Sequence, residues 1–170
     1  GVPLRKLKEV LAGHGQMLPL EIPFAQTATI GGTIAANANG PRRLGYGAWR
    51  DIVLGVEFLT ADGMCAKGGG RVVKNVAGYD IPKLLVGSFG TLGVIVEITL
   101  RTFPIPPASA TLALGFPTLA HALQAAQRIL QSQFQPQAMQ FVEASQAEFA
   151  HLPLMPSGAC HLIVEIAGQA

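Results

Sequence analysis

The spacing of apolar and polar positions divides the chain into two stretches of different character. Leu4, Leu7, Val10 and Leu11 share one stripe and predict a short amphipathic helix over residues 4–11, ended by Gly13 and Gly15. Residues 16–20 read as a short extended piece, which Pro19 and Pro23 confine to an edge or a connection. Residues 52–60 are rich in Val, Ile, Leu and Phe and predict a strand, with Gly55 marking a bulge or a close backbone approach. Ala61-Asp62-Gly63 is a hairpin signal, and residues 64–66 return. Asp80 is positioned to cap a short helix with Pro82 in its first turn and Gly87 at its end. Residues 94–102 alternate strictly. Val94, Val96, Ile98 and Leu100 form an apolar face against Ile95, Glu97, Thr99 and Arg101. After the proline-rich residues 104–107, glycine thins out and Gln and Ala take over. A strand at 111–116 precedes a helix capped by Thr118, with Leu119, Ala122, Leu123, Ala126, Ile129 and Leu130 on one face. Strands follow at 138–143 and 161–166, which makes the class α+β with helices on one face of a sheet.

Three glycine-rich stretches interrupt the first part. Residues 29–40 read TIGGTIAANANG, residues 68–80 read GGGRVVKNVAGYD, and residues 87–95 read GSFGTLGVI. Each is expected to be a loop. Gly31 and Gly32 leave backbone NH groups unshielded, and Asn37 tolerates the left-handed region, so the main chain can come close to a flat or charged ligand. The three glycines of residues 68–70 have no side chains to contribute to a core. No GxxxxGK[ST] occurs, and Gly87, Gly90 and Gly93 have neither the spacing nor the following helix of a dinucleotide fingerprint. The pattern is a binding surface assembled from several loops. Residues 41–47 form a long irregular loop between them, in which Arg42 and Arg43 have either a phosphate or acidic partner to face or, the commoner outcome for arginines, solvent.

Composition narrows the classes. Of 170 residues, 49% are hydrophobic and only 13% charged, so part of the surface is expected to be covered by a ligand, a partner or further chain. The chain starts at Gly1 without Met and stops just after a strand, as a piece of a longer protein would. No apolar run reaches membrane-spanning length. A net charge of +2 and 6% aromatics, without a basic stripe, argue against nucleic-acid binding. Cys65 and Cys160 are too far apart in sequence for a clustered disulfide or zinc framework, so both are expected to be inert thiols in a reducing compartment. His14 reads as a turn residue. His121, His151 and His161 form no HxH or HxxE group, so no metal site is expected, and they read as surface or edge residues.

The run TIGGTIAANANGPRRLGYG, then Arg50-Asp51 with the spaced Asp62-Gly63, then GGGRVVKNVAGYD and GSFGTLGVI, resembles the FAD-linked oxidase family in order and spacing over residues 15–103. This family shares the fold of vanillyl-alcohol oxidase and p-cresol methylhydroxylase, and within it the chain is most similar to FAD-binding subunits of bacterial glycolate oxidases. The resemblance implies that residues 1–103 are the second FAD-binding subdomain of a PCMH-type fold, an antiparallel sheet flanked by helices. It implies that residues 108–170 begin an α+β cap domain. It places Thr29, Ile30, Gly31, Gly32, Thr33, Ala36, Asn37 and Gly40 along the FAD diphosphate and flavin. It places Lys74, Asn75, Gly78 and Tyr79 beside the flavin, and Gly90, Thr91, Gly93 and Ile95 near the adenosine and ribityl end. Many relatives carry an acid where this chain has Phe89. No residue matches a position of covalent flavin attachment, so non-covalent FAD is implied. Catalytic residues are not assignable on these motifs. The implied chemistry is oxidation of a small 2-hydroxy acid, glycolate or D-lactate, or else a non-catalytic FAD-holding or bracing role. Implied partners are a homologous flavoprotein subunit and an iron–sulfur subunit, in the bacterial cytoplasm or peripheral at the inner membrane.

Overall fold

The structure is a computed structural model that describes residues 1–70, 79–149 and 157–168. In chain order the first elements are α1 (Leu4–Ala12), β1 (Gln16–Met17), α2 (Ile30–Ala35), α3 (Arg43–Tyr46), α4 (Trp49–Ile52), β2 (Val53–Leu59) and β3 (Cys65–Gly69). Then follow α5 (Ile81–Leu85), β4 (Val94–Leu100), β5 (Phe103–Pro104), β6 (Ala108–Phe116), α6 (Leu119–Gln131), β7 (Ala138–Glu143), α7 (Ala144–Phe149) and β8 (Cys160–Gly168). They divide into two units. Gly1–Gly40 and Gly47–Ile105 make the first, and Pro41–Tyr46 with Pro106–Ala170 make the second.

The first unit is built on the antiparallel sheet β3-β2-β4, with β1 and β5 pairing as a separate two-stranded ribbon. Its core gathers Leu4, Leu18, Leu20, Ile30, Ile34, Trp49, Ile52, Val56 and Leu85 from helices and strands alike. Helix α1 is amphipathic as its pattern predicts. Leu4 is buried and Leu7 and Leu11 pack on the core, while Val10 is turned to solvent. The predicted cap of α5 is present, with Asp80 accepting from the Lys83 amide at 3.3 Å.

Three expectations are overturned here. Residues 30–35 are not a loop but helix α2, capped by Thr29, whose Oγ1 accepts from the Gly32 amide at 3.3 Å. Two glycines disfavour a helix by roughly 1 kcal/mol each. The burial of Ile30 and Ile34 against the core offsets that, at about 1.5–3 kcal/mol per side chain. Second, Gly68 and Gly69 lie in strand β3 rather than in a loop. A Cβ on Gly68 would stand 2.4 Å from the Ile81 Cβ, and one on Gly69 would stand 2.1 Å from the Leu54 carbonyl oxygen. These glycines serve packing by lacking side chains. Third, β4 does not keep one apolar face. Glu57 pairs with Glu97 but Phe58 pairs with Ile95, so Val96 is an extra residue. The bulge turns Ile95, Ile98 and Leu100 toward the core and leaves Val94 and Val96 65% and 54% exposed. A second shift, between Val53 and Gly55, is the irregularity that Gly55 predicts.

The second unit is the antiparallel sheet β6-β8-β7 with α6 laid against it. Ala126, Leu162 and Val164 form its small core, with Phe116, Ala125, Ile129 and Met139 around them. Thr118 caps α6 as predicted, accepting from the His121 amide at 3.4 Å. The buried stripe of α6 is narrower than its pattern suggests, because Leu119, Leu123 and Leu130 are exposed. His161, expected at the surface or an edge, is 3% exposed on the central strand β8. Residues 41–47, expected as an irregular loop, contain the single turn α3 beside β7.

Candidate functional site

A cavity of about 700 Å³ opens on the first unit between helix α1, the start of α2 and strand β4. Such a volume is typical of a small-molecule site. The chain folds this way locally because residues 2–4 run antiparallel beside residues 28–30. The Ile30 amide donates to the Val2 carbonyl at 3.0 Å, and the Leu4 amide to Ala28 at 2.9 Å. That pairing sets Thr29, Ile30, Gly31 and Gly32 on one wall. Gly93, Val94, Ile95, Val96 and Ile98 make the opposite wall, and Leu7, Leu11 and Leu18 lie between. The bulge at Val96 is what supplies exposed valines there.

The walls face each other closely. A Cβ on Gly31 would stand 3.8 Å from the Ile95 Cβ, an ordinary van der Waals contact, so the two walls approach to side-chain contact at this point. The polar groups are few, among them Thr29, Glu97 and Thr102. A flat, mainly apolar ring system fits such a slot, and so the residues present fit part of a dinucleotide-sized group such as FAD. Their fit to a diphosphate is narrower than the glycine pair suggests. The Gly32 amide already serves the Thr29 cap, and the Thr33 amide donates to the Thr29 carbonyl at 2.9 Å.

The residues singled out from sequence separate into groups. Thr29, Ile30, Gly31, Gly32, Gly90, Gly93 and Ile95 line the cavity. Thr33 is 4% exposed, and its Oγ1 donates to the Ile30 carbonyl at 2.8 Å. It holds the helix rather than facing the slot. Ala36 and Asn37 end α2, and Asn37 takes the left-handed conformation that its type allows (φ 48°). Gly40 is held against Glu21, where a Cβ would fall 1.9 Å from the Glu21 carbonyl oxygen. Thr91 donates to the Ser88 carbonyl at 2.7 Å. Tyr79 is fully presented to solvent. Lys74, Asn75 and Gly78 lie outside the described residues, as does His151. Cavity residues that were not singled out from sequence include Val94, Val96, Ile98, Leu7, Leu11 and Leu18. Only the position of the bulge could have pointed to the valines, and nothing in the alternation of β4 encodes it.

The first and third glycine-rich stretches are joined directly. The Gly87 amide donates to the Ile34 carbonyl at 3.1 Å, and the Phe89 amide to Ala35 at 2.8 Å. Residues 87–89 therefore satisfy carbonyls at the end of α2 that a helix terminus leaves open. Behind this turn, the Trp49 indole donates to the Ala38 carbonyl at 2.7 Å, and its amide donates to Asn39 Oδ1 at 3.3 Å. Trp49 is fully buried, so it anchors residues 38–39 from inside the core.

Charge is concentrated elsewhere. On the β2–β3 hairpin, Glu57 accepts from the Cys65 thiol at 2.8 Å and pairs with Lys67 at 2.8 Å. The hydrogen bonds from Cys65 and Lys67 hold the Glu57 carboxyl below its usual range, and the bond to Glu57 pushes the thiol up. In the second unit, Arg42 grips Glu165 with Nε 2.9 Å from Oε2 and Nη2 2.6 Å from Oε1. Of the outcomes its loop allows, Arg42 thus takes the acidic partner rather than solvent. Burial raises the nearby Tyr46 phenol above its ordinary value; Arg42 acts against the rise and Glu165 with it.

Comparison with known proteins accords with the slot. A family model described as "FAD binding domain" matches residues 1–69, and one described as "FAD linked oxidases, C-terminal domain" matches residues 105–170. The glycolate oxidase subunit GlcE of Escherichia coli K12 is 47% identical over 66% of this chain and 32% of its own length. The D-lactate dehydrogenase of Archaeoglobus fulgidus is 41% identical over 87% of this chain and 33% of its own. The glycolate oxidase subunit GlcD of Bacillus subtilis is 31% identical over 97% of this chain and 36% of its own. The chain therefore spans about a third of the length of these relatives. Among solved structures, an alkyldihydroxyacetonephosphate synthase superposes over 98% of this chain and 33% of its own, with a TM-score of 0.77 at 24% identity. That likeness shows the fold, an α+β arrangement of PCMH type. With a different part of the chain matched by each of two models of one flavoprotein group, the chain belongs to the FAD-linked oxidase family, and FAD is its cofactor.

Proposed function

We propose that this chain is the FAD-binding part of a flavoprotein that oxidises a small 2-hydroxy acid, with glycolate as the first substrate to test. The observation that carries the reading is the slot between residues 29–32 and 93–98, lined mostly by apolar groups, in a chain of this family. FAD, when bound, supplies the acceptor for the hydride leaving C2 of the hydroxy acid. The residues of this chain bind and exclude water. Val94, Val96 and Ile98 offer an apolar wall, and Gly31 and Gly32 keep the facing wall low. Thr29, Ile30, Gly31, Gly32, Gly90, Gly93 and Ile95 are the proposed contacts. Asn37, Gly40 and Thr33 are proposed as supports that hold the wall in place.

The likeness to GlcE and GlcD supports assembly with a homologous flavoprotein subunit and, beyond that, an iron–sulfur subunit. A bacterial cytoplasmic site, peripheral at the inner membrane through such subunits, goes with that assembly. Among the described residues no helix is long and apolar enough to cross a membrane. D-Lactate is a second substrate reading, favoured by the relative that matches 87% of this chain. The test is anaerobic addition of glycolate or D-lactate to the complete flavoprotein, with and without its partner subunits, while flavin absorbance is followed. Bleaching by one acid names the substrate. Bleaching only with partners present supports a bracing role, and a complete subunit that cannot be loaded with FAD overturns the proposal.

A further inference from the structure

We propose that Glu97 is a specificity-determining residue of the slot: its carboxylate receives the hydroxyl or N–H donors of one half of the cofactor and keeps the diphosphate away from that stretch of β4. The inference lies within the first unit and rests on the reading of the slot as an FAD site.

Among the described residues, Glu97 is the one ionised side chain that lines the slot. Its neighbours along the same wall, Val94, Ile95, Val96, Ile98 and Leu100, are all apolar. Strand β4 is at the edge of the sheet β3-β2-β4, so residues of both its faces border the cavity beside it. Glu97 follows the bulge at Val96 and is exposed.

Its charge is not neutralised from within the sheet. Lys67, Glu57 and Glu97 stand in one row across β3, β2 and β4. Lys67 Nζ lies 2.8 Å from Glu57 Oε2, and the Cys65 thiol donates to Glu57 Oε1 at 2.8 Å. The bond to Glu57 is the main reason that the Lys67 ammonium is held above its ordinary pKa, and Glu97 contributes less. Two carboxylates thus share one ammonium, and like charges directly across a sheet repel. Glu97 itself makes no hydrogen bond and no ion pair among the described residues. A carboxylate can only accept. Against an apolar wall it holds donors by charge-assisted hydrogen bonds and repels phosphate.

FAD carries its diphosphate between two donor-bearing halves. Adenosine offers ribose hydroxyls and an exocyclic amine; the flavin half offers ribityl hydroxyls and a ring N–H. The carboxylate therefore selects a half over the middle of the cofactor and fixes which way along β4 it lies.

The test is calorimetric titration of the complete flavoprotein, freed of FAD, with FAD, riboflavin and adenosine. The variants are E97Q and E97L. E97L weakens FAD by roughly ten- to hundredfold, the range for losing a hydrogen bond to a charged group. E97Q keeps an acceptor oxygen, loses the charge and falls between. The same loss appears for riboflavin or for adenosine, and the one affected names the half that meets Glu97. The FAD-free variants melt at the wild-type temperature, so a loss confined to one probe is not a defect of folding. A carboxylate that merely stands in solvent near the diphosphate gives the opposite sign, because its removal relieves repulsion. FAD binding unchanged or tighter in E97Q and E97L overturns the proposal, as does equal loss for riboflavin and adenosine. Wild-type protein that takes up no FAD overturns the slot reading itself, and this inference with it.

Discussion

Gly40→Ala separates a glycine that touches ligand from one that permits a fold. The new Cβ would fall 1.9 Å from the Glu21 carbonyl oxygen and 2.8 Å from its carbon, both backbone atoms. Neither can rotate away, so residues 38–40 must shift. Overpacking of this kind costs about 1–3 kcal/mol. The shift also strains the two bonds from Trp49 to Ala38 and Asn39, worth about 1 kcal/mol each. The sum is about 3–5 kcal/mol, a large share of a domain's total stability. Trp49 is the single tryptophan and is fully buried in the first unit, so its fluorescence reports on that unit during urea unfolding. The control is Gly90→Ala. Nothing lies within 4 Å of its new Cβ, and only the positive φ of 77° is penalised, at about 1–2 kcal/mol. The expected order is wild type, then Gly90→Ala, then Gly40→Ala far below. A Gly40→Ala midpoint within about 0.5 kcal/mol of wild type would refute the steric reasoning.

Val96→Asp tests the slot itself. At an exposed bulge position it leaves the urea midpoint within about 0.5 kcal/mol, yet it weakens FAD binding to the complete flavoprotein by roughly tenfold or more, because a charge then lines an apolar wall. Cys65 is exposed, but its bond to Glu57 raises its pKa, so alkylation at pH 8 is slower than for an ordinary thiol. Glu57→Gln removes the carboxylate and speeds it, as timed iodoacetamide labelling will show. Asp80 has a lowered pKa, chiefly through its hydrogen bond with the Lys83 side chain. Its carboxylate stabilises the fold above the unfolded-state pKa, and that contribution disappears as pH falls through the lower folded value. The gap in urea midpoint between wild type and Asp80→Ala is therefore open at pH 7 and closes in acid, on that side only.

Much of the local structure is written in short-range chemistry. Thr118 and Asp80 can each reach an amide three residues on, so their helices start where the sequence says. The hairpin at residues 61–63 and the irregularity at Gly55 need nothing beyond neighbouring residues and are equally readable. The family is legible for a related reason: the glycine-rich stretches recur in fixed order and spacing, and order and spacing are properties of the chain.

Other features depend on atoms far away in sequence. Helix α2 exists although its two glycines oppose it, because Ile30 and Ile34 find a core assembled from residues 4 to 86. The loop leaves open whether Arg42 meets an anion or solvent, and Glu165, 123 positions later, decides it. Gly40 and Gly68 read as loop glycines, and only Glu21 and Ile81 reveal what they make room for. By itself the sequence determined the α+β class, the caps, the hairpin and the FAD-linked oxidase motifs, since each is read from local chemistry or from the order and spacing of stretches along the chain. The tertiary structure alone decided which glycines face the slot, which strand residues line it and where Arg42 is held, because those follow from close approaches between segments that the linear order keeps apart.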